Sequence, residues 1–103
     1  MQGVDGGKRR QVVRDILAEL VGCLPIVQHG QGYDPDLLAR LYLLRDVTAS
    51  ADGLGAARVA VADWINRAAA LVRDEEDRDQ ALRLLRRAQT RLADAAVTHR
   101  PPR

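Results

Sequence analysis

The amino-acid sequence predicts an all-α protein. Apolar residues recur at helical spacing along most of the chain, strong helix formers dominate the composition, and no long stretch alternates apolar and polar residues as a strand would. The 103 residues, 47% of them hydrophobic, suffice for one domain. We expect a flexible N-terminus over residues 1–7, a single helical domain over 8–97 and a flexible tail over 98–103. The architecture expected is a four-helix bundle or a long helical hairpin with two smaller helices packed on it.

Helix one is predicted from about Lys8 to Cys23. Pro25 should stop it, because a proline disfavours helical geometry at the residue before it and lacks a backbone donor. The apolar face of this helix is formed by Val12, Val13, Ile16, Leu17, Leu20, Val21 and Leu24.

Helix two is predicted to begin at Asp34-Pro35. Asp34 can accept from free amides of the first turn, and Pro35 has the backbone angle of a first helical position. The apolar surface of helix two is wider than one stripe, which favours a position between neighbours.

Helix three is predicted over about Leu54 to Arg73, after a segment rich in turn residues. The acidic residues 74–77 then predict the first turn of helix four, because acids stabilise helix N-termini. Apolar residues at heptad-like spacing extend helix four to about Val97.

Residues for enzymatic or metal chemistry are scarce. The chain has one cysteine and two histidines, which fall short of a zinc pattern. Cys23 and His29 could form a thiolate and imidazole pair, but a cysteine among apolar neighbours more often packs as a small hydrophobe. We therefore predict no catalytic, cofactor-binding or metal-binding residue. The start of the chain lacks a secretion-signal pattern, so a cytoplasmic location is expected.

The segment 24–33 is predicted as a loop with both apolar and polar residues. Such a loop either covers the core or presents a contact surface. In the second case, the residues expected to contact a partner are Gln28, His29, Gln31 and Tyr33.

Positive charge is concentrated at the C-terminal end. Residues 83–103 carry six basic and one acidic residue, although the whole chain has a net charge of only +2. Arg83, Arg87 and Arg91 recur every four residues and could meet phosphates or an acidic partner. A solvated helix face is the alternative interpretation.

Residues 47–67 resemble the helix-turn-helix of phage-repressor-type regulators. The resemblance depends on Ala51, Gly55, Val61 and Trp64, together with Leu54. It implies a DNA-binding regulator in which Arg58 and Asn66 read bases. One uninterrupted helix would satisfy the same apolar spacing.

The function expected from these observations is that of a small non-enzymatic interaction or regulatory module. It would bind a protein partner or a second copy through helices three and four, with Leu85 and Leu92 in the contact seam, and it would need no cofactor or membrane. The alternative is a helix-turn-helix-type regulator that binds nucleic acid through Arg58, Asn66 and the row Arg83, Arg87 and Arg91.

Overall fold

Four α-helices account for most of the structure. The computed structural model describes the backbone of residues 2–97 and the side chains of residues 7–97. The helices are α1 (Gln2–His29), α2 (Pro35–Ala49), α3 (Ala57–Arg73) and α4 (Arg78–Val97), and a single 3-10 turn (Asp52–Leu54) lies between α2 and α3. The described part of the chain contains no strand, which confirms the all-α prediction. The expected tail over residues 98–103 lies outside the described residues.

Helix α1 is longer at both ends than the sequence predicts. It begins at Gln2 and continues through Pro25 to His29, so the prediction that Pro25 ends the helix is wrong. The buried residues explain why, because the stripe Val13, Ile16, Leu20, Cys23 and Val27 continues across the proline. A proline inside a helix costs roughly 3 kcal/mol. Burial of a valine side chain recovers about 1.5–3 kcal/mol of this. The flexibility of residues 1–7 stays a prediction, although residues 2–7 belong to the helix.

The end of α1 is held by an arginine from the start of α4. Arg78 Nη1 donates to the carbonyl of Val27 at 3.2 Å, and its Nη2 donates to the carbonyl of Gly32 at 2.7 Å. The backbone N–H of Gly30 donates to the carbonyl of Ile26. A Cβ at position 30 would lie 2.5 Å from that carbonyl oxygen, so only glycine fits this exit from the helix.

Helix α2 begins as the sequence predicts. The Asp34 side chain accepts from the backbone N–H of Leu37 at 3.0 Å, and Pro35 is the first helical residue. The helix buries Leu37, Leu38, Leu41 and Leu44 in the core. Leu43, by contrast, is 65% exposed, so the wide apolar surface of α2 is only partly covered by the chain itself.

Helix α3 begins at Ala57, three residues later than predicted. Gly55 has φ +58° and ψ −138°, a conformation that ends the preceding 3-10 turn. Within that turn, Gly53 packs against α1 so closely that a Cβ would lie 2.8 Å from the carbonyl oxygen of Arg9. This close contact with α1 favours a short turn over an extension of α3.

The acidic run 74–77 forms the connection between α3 and α4. Glu75 has φ +55°, and the backbone N–H of Glu76 donates to the carbonyl of Leu71, which closes the end of α3. Asp77 accepts from the backbone N–H of Gln80 at 3.0 Å and thereby caps α4. The prediction that residues 74–77 form the first turn of helix four is therefore wrong, because all four residues precede α4 and Asp79 is the acidic residue of its first turn. Within the first turns of α4, Arg83 donates to the side-chain oxygen of Gln80 at 2.7 Å.

The helices share one core. Helix α1 packs against α2 and α4, and α3 also packs against α2 and α4. The core is almost entirely aliphatic, and Thr48 is the one buried polar side chain among residues 7–97. Its hydroxyl has no hydrogen-bond partner within the part of the chain that the structure describes.

Candidate functional site

The only tryptophan of the chain lies beside the predicted arginine row. Helices α3 and α4 are joined by four residues, and Trp64 and Arg87 lie at equal distances in sequence from this connection. The two side chains meet across the helix pair, where the Arg87 guanidinium carbon is 5.6 Å from the centre of the Trp64 ring. This distance is within the range of a cation–π contact. Trp64 is half-buried, so one part of its ring remains accessible.

An open groove of about 520 Å³ follows the outer face of α4 at this contact. We call it the basic groove. Its lining residues are Trp64, Arg83, Arg86, Arg87, Thr90, Arg91 and Asp94. The lining thus contains four arginines and one aspartate, which gives this part of the surface a strong positive charge.

The guanidinium groups of the basic groove have few partners inside the protein. Arg83 donates to the side-chain oxygen of Gln80 at 2.7 Å. Arg86 and Arg91 make no side-chain hydrogen bond or ion pair with any of the residues that the structure describes. Their donors are therefore available to an external anion.

The opposite face of α4 explains why these arginines are exposed. The residues that face the core are Ala81, Leu85, Ala88, Leu92 and Ala95. The predicted partner-contact residues Leu85 and Leu92 are 0% exposed in this fold. They belong to the core of the chain itself, because α4 packs against α1 and α3 of the same chain.

The two predicted base-reading residues are engaged within the protein. Arg58 Nη1 donates to the carbonyl of Gly55 at 3.2 Å, and the Asn66 side-chain oxygen accepts from Arg45 Nη1 at 2.8 Å. On the same helix, Arg67 is paired with Asp63 at 2.9 Å. The outer face of α3 therefore offers less free positive charge than α4 does.

The segment 47–67 also differs from a helix-turn-helix in its backbone. Seven residues separate α2 from α3, whereas the two helices of that motif are joined by three or four. Ala51 and Val61 are buried as the resemblance implies, but Trp64 faces the basic groove. Neither a separate α-helix over residues 48–54 nor an uninterrupted helix from Leu54 is present.

The predicted contact residues near the end of α1 lie on the surface. Gln28 and His29 end α1, Gln31 and Tyr33 follow in the connection, and all four are exposed. The apolar residues of the same segment behave differently, since Val27 is buried and Leu24 and Ile26 pack against the core. The segment therefore covers the core with its apolar part and exposes its polar end. The structure does not bring this end together with the basic groove, whose lining includes none of the four residues.

Cys23 is fully buried on α1. Burial raises the pKa of its thiol, and the nearby Arg40 opposes this shift only in part. The described side chains, those of residues 7–97, include no group of three or more His, Cys, Asp or Glu that could hold a metal ion. None of the described helices combines the length and hydropathy needed to span a bilayer.

Two parts of the site were missed by reasoning from the sequence. The sequence associates Trp64 only with the resemblance to a helix-turn-helix, and the spacing of four that defines the arginine row does not include Arg86. The signal for both was present, because residues equally far from a short helix–helix connection meet in an antiparallel pair.

No protein-family model matches this chain, and neither a curated protein sequence nor a solved structure is significantly similar to it.

Proposed function

We propose that the protein is a small non-enzymatic interaction module that binds an acidic segment of a partner protein in the basic groove. The observation that carries this proposal is that Arg86 and Arg91 have no hydrogen-bond or ion-pair partner among the described residues and lie beside Trp64 in an open groove. The scaffold that we infer for it is a four-helix bundle, in which α3 and α4 present the groove. The free thiol of Cys23 fits a reducing compartment, and we propose that the module acts in the cytoplasm.

The chemistry of the basic groove suits carboxylates. An arginine can donate two parallel hydrogen bonds to one carboxylate, and a half-exposed tryptophan adds apolar contact for the chain that carries it. An exposed ion pair contributes only about 0.2–1 kcal/mol, so several must form together for measurable affinity. An acidic segment with several carboxylates, each within reach of a different arginine, meets this requirement. Its binding weakens as salt is added.

A second candidate is the phosphate backbone of duplex DNA. The specific observation that favours it is the row Arg83, Arg87 and Arg91, which places one guanidinium on each of three successive turns of α4. The engaged state of Arg58 and Asn66 favours the acidic protein segment instead, because base readers would need free donors and acceptors.

The test is a titration followed by the fluorescence of Trp64. A peptide of about ten glutamates and aspartates and a short duplex DNA are titrated separately into the wild-type protein at several salt concentrations. The proposal predicts that the acidic peptide changes the Trp64 emission and that its affinity exceeds that of the duplex. If four phosphates were bound instead, the logarithm of the duplex affinity would fall with the logarithm of salt concentration at a slope of about −3.6.

Charge-reversal variants locate the site. Arg86→Glu and Arg91→Glu each should lower the affinity for the acidic peptide severalfold, because each replaces an available donor with a like charge. Arg14→Glu is the matched control, since Arg14 is exposed on α1 outside the basic groove and the substitution changes the net charge equally. Equal losses in all three variants, or no binding of the peptide at low salt, would contradict the proposal.

A further inference from the structure

A second groove lies on the opposite side of the helix set, between α1 and α2. It has a volume of about 410 Å³, and we call it the α1–α2 groove. Its lining residues are Val12, Asp15, Ile16, Glu19, Arg40, Leu43, Leu44 and Val47. None of them belongs to the basic groove, so the two surfaces are independent.

The α1–α2 groove collects apolar side chains that the fold leaves exposed. Leu43 is 65% exposed, Val47 is 41% exposed and Val12 is 40% exposed. These are three of the seven large hydrophobic side chains that are exposed among residues 7–97. Single exposed hydrophobic residues are common on protein surfaces, but a contiguous group indicates a contact with another molecule.

Charges of opposite sign flank the apolar strip. Asp15 and Glu19 lie on the α1 side, and Arg40 lies on the α2 side. Arg40 Nη2 reaches across to Glu19 at 2.8 Å, which shows that the two edges are within reach of each other. Asp15 accepts a hydrogen bond from Gln11 at 2.8 Å and has no cationic partner among the described residues.

We propose that the α1–α2 groove is the contact surface of a homodimer. A two-fold axis parallel to the helices places α1 of one copy over α2 of the other. The acidic edge of each copy then faces the basic edge of its partner, and the pair Glu19–Arg40 of one copy lies at the level of the same pair in the partner subunit, so that four charges of alternating sign adjoin across the axis. Leu43 enters the groove of the other copy at the level of the partner's Ile16, because these two positions lie side by side within one chain.

The charge pattern selects a second copy as the occupant. A face with an acidic edge and a basic edge is complementary to itself under this axis, so one surface supplies both halves of the contact. The arrangement also has an apolar centre and a charged rim, as protein interfaces do. Helix α2 is about 22 Å long at ~1.5 Å per residue, which limits the contact length. The dimer therefore belongs to the smaller, concentration-dependent class of interfaces.

The oligomeric state tests this proposal. Sedimentation equilibrium of the wild-type protein should give a mass that rises with concentration from 11.3 kDa towards twice that value. Leu43→Asp should raise the dimer dissociation constant by at least about tenfold, since it puts a charge at the centre of the apolar strip. Val59→Asp is the matched control, because Val59 is 69% exposed on α3 and does not line the α1–α2 groove. This control should dimerise like the wild type.

A charge exchange provides a second, independent measurement. Arg40→Glu should weaken the dimer, and adding Glu19→Arg to that variant should restore it, because the exchange recreates the alternating charges at positions 19 and 40 in both copies. A wild-type mass of 11.3 kDa at concentrations near about 1 mM would overturn the proposal. Dimerisation of Leu43→Asp with wild-type affinity would also overturn it. Circular dichroism confirms that each variant is folded before its mass is measured.

Discussion

The backbone at Glu75 leads to a specific prediction of increased stability. Glu75 has φ +55°, a left-handed conformation that costs an L-residue roughly 1–2 kcal/mol. The conformation is required because the N–H of Glu75 donates to the carbonyl of Val72 at 3.1 Å and that of Glu76 donates to the carbonyl of Leu71 at 2.9 Å. These two bonds form a Schellman motif, in which this position is usually glycine. We therefore expect Glu75→Gly to stabilise the protein.

The magnitude follows from two opposing effects. Glycine removes the backbone strain of about 1–2 kcal/mol from the folded state. Its greater conformational freedom stabilises the unfolded chain by about 0.5–1 kcal/mol, which offsets part of this gain. The Glu75 side chain is exposed and makes no hydrogen bond or ion pair with a described residue, so no contact is lost. The free energy of unfolding should rise by about 0.5–1 kcal/mol. The melting temperature of a domain of this size should rise by roughly 2–8 °C.

Urea unfolding, followed by the fluorescence of Trp64 and by circular dichroism, measures this difference. The slope of the transition should be unchanged and the midpoint should move to higher urea concentration. Glu76→Gly is the control, since it removes the same charge and introduces the same residue where φ is not positive. It should leave the protein less stable than Glu75→Gly does. Equal changes in the two variants would refute the assignment of strain to Glu75.

Three further substitutions or conditions test other parts of the structure. Thr48→Val should raise the free energy of unfolding by about 1 kcal/mol, because it removes a buried hydroxyl without a partner, and a loss of stability on urea unfolding would show that this hydroxyl is hydrogen-bonded. Gly53→Ala should lower stability by about 1–3 kcal/mol, since its Cβ would lie 2.8 Å from the carbonyl oxygen of Arg9 and 3.0 Å from Val13 Cγ2, whereas Gly7→Ala in open space should not lower it. Cys23 should react with a thiol reagent only as fast as the protein opens. Burial raises the pKa of the Cys23 thiol above its ordinary value of 9.0. The contribution of the protonated thiol to the free energy of unfolding is therefore complete below this ordinary pKa, and it is lost as the pH rises through the pKa of the folded state. Cys23→Ala should show a weaker loss of stability at alkaline pH, and an equal loss would contradict this reasoning.

Local signals predicted some helix ends correctly. The start of α2 depended on Asp34 and Pro35, whose effects act within one turn, and the structure confirms it. Pro25 shows where local rules fail. The buried position of Val27 and the hydrogen bonds from Arg78 come from distant parts of the chain, and together they offset the local cost of a proline. A prediction from residues near Pro25 could not include them.

The candidate site, likewise, could be predicted only in part, because some of its features depend on contacts between distant segments of the chain. The spacing of Arg83, Arg87 and Arg91 is a property of one helix, so their common face could be predicted from the sequence. The position of Trp64 beside them depends on how α3 pairs with α4. The same pairing decides that Leu85 lies in the core of the chain and not at a partner, and the apolar pattern of α4 is the same in either case.

The contact of Arg78 with the end of α1 has a consequence for how the protein opens. The carbonyl of Val27 and the guanidinium that binds it are separated by 51 positions along the chain. The last turn of α1 therefore cannot be fully stabilised until the beginning of α4 has docked, and undocking of α4 releases both together. We therefore expect the amides of these two helix ends to exchange as one cooperative unit, although one end lies in the first third of the sequence and the other in the last.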